Sequence, residues 1–470
     1  MKRYSSVNEA IDSSGLARKY WVFGFVVAAT TMFEYFDLYL IGYVLSVVGP
    51  AWGLTFGQSS LVLVASGAGA IIGAVIAGWA GDRFGRKPTM LATLVICSLA
   101  TGGMALVPEG SWQGLALLRL IIGASVPALH LAAITLVVEL TPTQRRTTLS
   151  SLLAIAFVPM GGMVAALCAM SSDAIGWRGL VLFGLIGLTI VPLISLFVPE
   201  SPRWLLERGR SRKAEAELRW ITGDSDLTLA TSDTSQAPKA HISELFSDYR
   251  KLILLTLTWF GVSTVSYALV LWGPTMMRLL LDLTPGHAAR LFILVSLGGL
   301  VGRIATSFMA GRLGRRTTGI TLAFAAAISC VIAAYFKQVE VAGFALFLPV
   351  LAITFMFADG AWANVGPMSA ELYPTALRSR AGAYTQIVNG LGKIIGPMIL
   401  AIVAGTGNLV SPQATVSAIT PVFFILAAFS AIVGITFLLV QRETHGRSLE
   451  RLAAGDPERA AISPSATIKT

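Results

Sequence analysis

The side chains best placed to do chemistry in this chain begin with two carboxylates. Glu34 and Asp37 stand three positions apart in the apolar run FEYFDLYLIG. On a helix that spacing sets them about 60° apart on one face. Two acids this close in a low-dielectric site are coupled titrating groups, the arrangement a proton carrier needs. The plainer alternative is an ion pair that pins the helix to a basic neighbour. Arg119, in RLIIG, is followed eleven residues on by His130, about 20° around a helix, so both project from one face. An arginine stays charged and offers a planar fork to a carboxylate. It would hold an anion, bias the protonation of Asp37, or serve only as a buried pair. His130 reads either as a hydrogen-bonded packing residue or as a ligand contact. Gln386, Asn389 and Lys393 follow at spacings of three and four, one stripe of donors that suits a carboxylate or stitches helices together. Arg303, Asp359 and Asn364 are open between a charge pair and a substrate role. Among the aromatics, Tyr39, Tyr267 and Trp362 are the expected cavity-lining residues.

The elements that must position these groups follow from composition. The chain has 470 residues, 55% apolar and 13% charged, with 46 glycines and a mean hydropathy of +0.73. A soluble chain carries about 25% charged residues, so a water-soluble fold, disorder and a disulfide-stapled module are all excluded. A bilayer-spanning helix needs about 20 mostly apolar residues, and alternating strands of a membrane barrel are absent. Twelve apolar segments are expected, near 21–48, 59–80, 88–107, 113–138, 147–171, 178–198, 252–280, 289–310, 318–336, 341–363, 380–404 and 415–440. Charges in such spans cost at least about 2.5–3.5 kcal/mol each at a helix centre, so they are expected to face a cavity and act. Cys97, Cys168 and Cys330 show no paired spacing and read as small packing residues, with no metal site. The polar first 19 residues lack the pattern of a cleaved signal peptide.

The net charge of +10 resolves once it is placed along the chain. Of the 35 Lys and Arg, 28 fall on the side of the N-terminus, 4 on the other side, and 3 inside spans. By the positive-inside rule both termini are expected to be cytoplasmic, in an inner or plasma membrane. The basic balance then serves topology and anionic lipid, not nucleic acid. The sequence divides into a first six-helix half (1–198), a cytoplasmic linker with amphipathic helices (199–251), a second half (252–440) and a cytoplasmic tail (441–470).

The halves repeat. GDRFGRK at 81–87 returns as GRLGRR at 311–316, with Gly85 and Gly314 offset by 229, and ELTPTQRR at 139–146 returns as ELYPTALR at 371–378, offset by 232. Two matches at nearly one offset imply duplicated halves in the same orientation, as parallel repeats about the membrane normal require. The glycine-rich run GAGAIIGAVIAG at 67–78 reads as a close-packing helix face, since it lacks the lysine-threonine ending of a phosphate loop.

On these strings the chain resembles the major facilitator superfamily over nearly its whole length. GWAGDRFGRK (78–87) is similar to its signature between the second and third helices, and Arg119 with Gly123 to its fourth-helix signature. PESPRWL (199–205) and ETHGRSLE (443–450) resemble the sugar-porter and metabolite:proton symporter branches, and FEYFDLYLIG the aromatic-acid:proton symporters. The chain departs from that pattern at Gly311, which stands where the first half has Asp82, and in GPMSAELYPTALR, which lacks the proline-tryptophan pair of sugar porters. The resemblance implies an all-α membrane protein of twelve transmembrane helices in two pseudo-symmetric six-helix bundles. It also implies a gating role for the loop charges Asp82, Arg83, Arg86, Glu139, Arg146, Glu200, Arg203, Glu371, Arg378 and Glu443, clamping the halves when the outside is open.

The expectation is a transporter, not an enzyme: proton-coupled symport of a small organic anion, a monocarboxylate or aromatic acid. Asp37, with Glu34, would load the proton, and Arg119 and Lys393 would hold the carboxylate, with His130 and Asp359 as further substrate contacts. No cofactor is expected beyond the proton as coupling ion, and the partners are the substrate, protons and lipid, in a monomer. Sugar or polyol uptake and drug efflux by antiport are the alternatives.

Overall fold

The computed structural model describes residues 2–13, 17–145, 157–229, 242–246, 248–373 and 375–439. The chain enters through a short strand, β1 (Lys2–Tyr4), and α1 (Val7–Asp12). The first half follows as α2 (Arg18–Ala51), α3 (Phe56–Phe84), α4 (Arg86–Gly103), α5 (Trp112–Leu140), α6 (Val158–Ala169), and α7 (Ser172–Leu182) continuing into α8 (Gly187–Phe197). Two short helices, α9 (Pro202–Glu207) and α10 (Ser211–Thr222), and strand β2 (Leu227–Leu229) occupy the loop that follows. The second half is α11 (Tyr249–Leu280), α12 (Pro285–Leu313), α13 (Arg315–Phe336), the small hairpin β3 (Glu340–Val341) and β4 (Phe344–Ala345), α14 (Phe347–Gly360) running into α15 (Trp362–Leu372), α16 (Thr375–Ala404) and α17 (Pro412–Leu439). Among the described residues, eleven helical stretches are long and apolar enough to cross a membrane. The expected fifth segment, 147–171, is described only from residue 157, as the shorter apolar α6.

Glycines set how closely the helices approach, and they do so twice. A Cβ on Gly69 or Gly73 of α3 would stand 2.2 Å from a backbone oxygen of α5, and one on Gly123 of α5 would stand 2.2 Å from the Ser66 carbonyl. In the second half, a Cβ on Gly298 would lie 2.7 Å from the Ala352 carbonyl and one on Gly302 2.0 Å from that of Met356. Gly298 and Gly302 lie 229 positions after Gly69 and Gly73, the offset of the loop motif. The duplication therefore reaches into the membrane, where small residues let backbones touch.

The repeated loops show the same economy. Gly85 and Gly314 have φ of +103° and +86°, a region that L side chains avoid. Each begins a helix whose second-turn threonine returns a bond to it: Thr89 Oγ1 and Thr318 Oγ1 donate to the Gly85 and Gly314 carbonyls, both at 2.7 Å. The second basic residue of each helix ties it to the end of its own half. Lys87 Nζ donates to the Ser195 carbonyl at 2.8 Å, and Arg316 Nη2 donates to that of Leu438 at 2.7 Å.

The amino-terminal segment, expected only as a polar tail, forms a layer with the central loop. β1 pairs in parallel with β2, and Val7, Ala10 and Ile11 close a small core with Leu218 and Leu227. Asp12 accepts from the Thr143 N–H and hydroxyl at 2.6 and 2.8 Å.

Hydrogen bonds between the halves, among the described residues, gather at the end away from the basic loops. The turn before α3 pairs with the turn after α16: Phe56 N–H donates to Asn408 at 2.9 Å, and Val410 N–H to Leu54 at 3.0 Å. Nearby, Ser60 Oγ donates to the Pro397 carbonyl at 3.1 Å, and Arg278 donates to that of Ser46. Asp173 of α7 receives Gly286 N–H, at the start of α12, at 3.1 Å. The molecule is zipped shut at this face.

Candidate functional site

The α3–α5 glycine seam places the first ion pair. It brings Ser66 to Arg119, whose Nε donates to Ser66 Oγ at 3.0 Å, while Nη1 reaches Asp37 Oδ2 on α2 at 2.9 Å. Thr101 of α4 donates to the other oxygen, Asp37 Oδ1, at 2.5 Å. Both partners of the pair are 1% exposed. Desolvating two charges is costly unless geometry and extra hydrogen bonds compensate, and here four helices supply them. Of the readings open for Arg119, the structure contains the pair with Asp37.

Glu34, one turn before Asp37, faces a different neighbour. Its Oε2 lies 3.2 Å from His130 Nδ1, so two groups assigned to separate tasks in the sequence meet each other. The pair is less enclosed, with the His130 side chain 22% exposed and that of Glu34 9%.

In the second half the corresponding seam produces another buried pair. Arg303 Nε and Nη2 grip Asp359 Oδ2 and Oδ1 at 2.6 and 2.9 Å, a bidentate fork that suits the guanidinium plane. Asp359, considered as a substrate contact, is thus occupied by Arg303 in this conformation. Asn364 donates instead to the Arg315 carbonyl at 2.9 Å.

Lys393 completes the set. It lies on α16 where that helix crosses α3, and its Cβ would be 3.0 Å from a Cβ added at Gly67. Its Nζ sits 5.1 Å from the centre of the Tyr267 ring, a cation–π distance. Among the described residues no carboxylate lies within ion-pair distance of it, although it is buried. Tyr267 in turn meets Trp362, with ring centres 6.4 Å apart, and Trp362 Nε1 donates to Ser266 Oγ at 3.1 Å. Asn389 accepts from Ser263 Oγ at 3.0 Å and donates to Gln386 at 3.4 Å. Lys393, Tyr267, Trp362, Asn389 and Gln386 therefore form one connected wall. Tyr39 is apart from it, buried against Gly162 of α6.

Sequence reasoning missed the hydroxyls. Ser66, Thr101, Ser263 and Ser266 orient the charged and aromatic groups, yet a lone Ser or Thr in an apolar run is too common to single out. The apolar cleft lined by Gly261, Leu322, Val365 and Phe437 lies within the second half and contains none of the charged groups.

At the basic face Asp82, Arg86, Glu139, Glu200 and Arg203 bond within the first half and the loop that follows it. Glu200 accepts from the Arg86 and Lys87 N–H groups at 3.0 and 3.3 Å, capping α4. Asp82 pairs with Arg86 at 3.2 Å, and Trp204 Nε1 donates to the Asp82 carbonyl at 2.7 Å. Glu139 accepts from Ser201 Oγ, and Arg203 donates to Asn8 at 2.6 Å. Arg83 lies in the last turn of α3. Arg146 and Glu443, and the side chains of Glu371 and Arg378, lie outside the described residues.

Two helical bundles in parallel repeat, hydrogen-bonded to each other at one face and burying charged groups within helices long and apolar enough to span a bilayer, are the build of a multi-pass membrane transporter rather than an enzyme. Residues 23–455 match the family described as "Sugar (and other) transporter", and the chain belongs to that family, within the major facilitator superfamily. It is 27% identical to the niacin transporter NiaP of Acinetobacter baylyi, over 94% of this chain and 98% of that one. It is also 27% identical to a gallate transporter of Pseudomonas putida, over 84% and 87%. Among solved structures it resembles the inward open conformation of the xylose transporter XylE from E. coli, with a TM-score of 0.73 and 19% identity over 92% of this chain and 99% of that one. That likeness is one of fold.

Proposed function

We propose that the protein takes up a small aromatic carboxylic acid together with a proton, by alternating access. The observation that carries this reading is Lys393: a buried cation with no carboxylate partner among the described residues, held over an aromatic ring beside amide donors. An unpaired buried charge is costly to keep, and an incoming carboxylate would complete it while Tyr267 and Trp362 flank a ring. The relatives named for niacin and gallate transport point to the same chemistry. Proton coupling would run through the α2 acids Glu34 and Asp37, with Arg119 setting the charge of the latter. Accumulating an anion against a negative-inside potential needs such coupling. The basic face is proposed as cytoplasmic, in an inner or plasma membrane, with the chain acting as a monomer built from the halves 1–198 and 252–440.

The test is thermal stabilisation of purified protein by nicotinate, gallate, benzoate and xylose. Carboxylates are expected to raise Tm in the wild type and to lose that effect in Lys393→Ala. Stabilisation by xylose alone would replace this reading with sugar uptake. That second reading has its own support in the family description and in the Ser263–Asn389–Gln386 chain, which could serve sugar hydroxyls.

A further inference from the structure

Resting on the alternating-access part of that reading, we propose that the amino-terminal segment 2–12 is a brace. It makes the layer of α9, α10 and β2 turn as one body with the first half, and so sets how readily the basic face closes and the opposite face opens. The segment is built to dock. Val7, Ala10 and Ile11 share one helix face, each is 3% exposed or less, and they close on Leu218 of α10 and Leu227 of β2. Ser6 caps α1 by accepting from the Glu9 N–H at 3.2 Å, and β1 lies in register with β2, Arg3 opposite Thr228. Chain ends stay poorly ordered unless something ties them down, and here a capped helix with three buried apolar side chains does so.

Its attachments give it leverage. One edge of the layer is fixed at the end of α3, where Trp204 Nε1 and Arg208 Nη2 donate to the Asp82 carbonyl at 2.7 and 2.9 Å. The segment fixes the layer a second time, to the loop after α5. Arg203 Nη2 of α9 donates to Asn8 Oδ1 at 2.6 Å, and Asp12 in turn accepts from the Thr143 N–H and hydroxyl. A buried hydroxyl bond at 2.7 Å between Tyr20 and Thr141 joins α2 to the same loop. The segment thus ties together the basic-face ends of α2 and α5, the helices that carry Asp37 and Arg119. All of these bonds stay within the first half and the loop that follows it. Rocking that parts the shut face brings the basic-face ends of the halves together, and on the first half those ends carry this layer. Held at both attachments, the layer delivers the motion of its half to that closure; held at one, it swings aside. Undocking the segment therefore disfavours the state closed at the basic face and leaves the state shut at the opposite face more populated.

The experiment uses the full chain in lipid nanodiscs, with Ser60→Cys as the reporter in every sample. Ser60 is buried where the halves meet at the shut face, so a polar maleimide reaches that thiol only while the face is open. Its labelling rate, counted above that of the three native cysteines, follows the population open there. Ala10→Asp with Ile11→Asp puts two carboxylates into a dry core, where the segment cannot stay. This variant is expected to speed amide exchange at 227–229 and to slow labelling roughly threefold or more. Asp12→Ala leaves the apolar contacts in place and releases only Thr143, so it should slow labelling by a smaller factor. Arg3→Cys with Thr228→Cys, on strands about 4.8 Å apart, is within reach of a disulfide. Oxidised, it is expected to keep labelling within about twofold of its reduced form, because the brace stays docked throughout. Undocked variants that label at the parent rate overturn the proposal, and so do 227–229 amides that stay protected in the double variant. A disulfide that stops labelling overturns it as well, since the segment would then have to leave in every cycle. Uptake of nicotinate, gallate and benzoate is followed separately in proteoliposomes. A wild type that moves none of them defeats the uptake reading, while the labelling rates still decide the brace.

Discussion

Arg119 and Asp37 illustrate what a buried charge pair does for a membrane protein and what it does not. Removing one partner strands the other in a dry site, which costs about 3–5 kcal/mol, whereas removing both together is often close to neutral. Arg119→Ala is therefore expected to lower the thermal unfolding midpoint sharply, and Arg119→Gln combined with Asp37→Asn to recover most of that loss. A double variant as unstable as the single would show that Ser66 and Thr101, rather than the ion pair, carry the stability. The pairing itself was half legible in the sequence. Three acids and three bases inside apolar spans announce that they must meet something, but not which partner each takes. Glu34 and His130 are separated by 96 positions, and only the crossing of α2 with α5 joins them. Lys393 was legible as a donor on a stripe, while its lack of a carboxylate partner is a property of the folded bundle.

Elements explain why the loop motif has the residues it has. Gly85 ends α3 and begins α4 at a positive φ, and a Cβ there would stand 2.3 Å from Glu200 Oε2. Glu200 in turn caps the first N–H groups of α4, where a helix N-terminus favours a negative charge. Gly85→Ala meets both obstacles, backbone strain worth about 1–3 kcal/mol and eviction of the cap. Glu200→Gln keeps the shape and gives up only the charge, about 0.3–1 kcal/mol. Thermal unfolding should rank Gly85→Ala well below Glu200→Gln, and the reverse order would refute this account of the loop. The repeat of the motif was readable from the sequence because two strings recur at one offset. The Glu200 contact was not, since it spans 114 residues. The β1–β2 pairing escaped for another reason: three-residue strands and a six-residue helix carry too little periodicity to stand out from a polar tail.

At the scale of the whole molecule, the arrangement of closures specifies a direction of opening. The halves are joined by backbone bonds at the face away from the basic loops, while Asp82, Arg86, Glu139, Glu200 and Arg203 at the basic face bond within the first half and the loop that follows it. If transport proceeds by rocking the halves, the bonds around Thr55 and Leu409 must break in every cycle. These two residues form an antiparallel bridge flanked by the Leu54–Val410 and Phe56–Asn408 bonds, a non-hydrogen-bonded pair, whose side chains lie close together. That geometry suits a disulfide. Thr55→Cys with Leu409→Cys is expected to cross-link under oxidation and to stop both net uptake and counterflow, with activity returning on reduction. Thr55 also caps α3 through Gln58, so Thr55→Cys alone serves as the control and should cost about 1 kcal/mol of stability while still transporting. Because counterflow, the exchange of substrate across the membrane without net transport, needs no net proton movement, its arrest separates the mechanical step from the proton coupling. A cross-linked protein that continued to exchange substrate would mean that this face need not open, and the cavity would then have to be reached by some path other than the parting of its two halves.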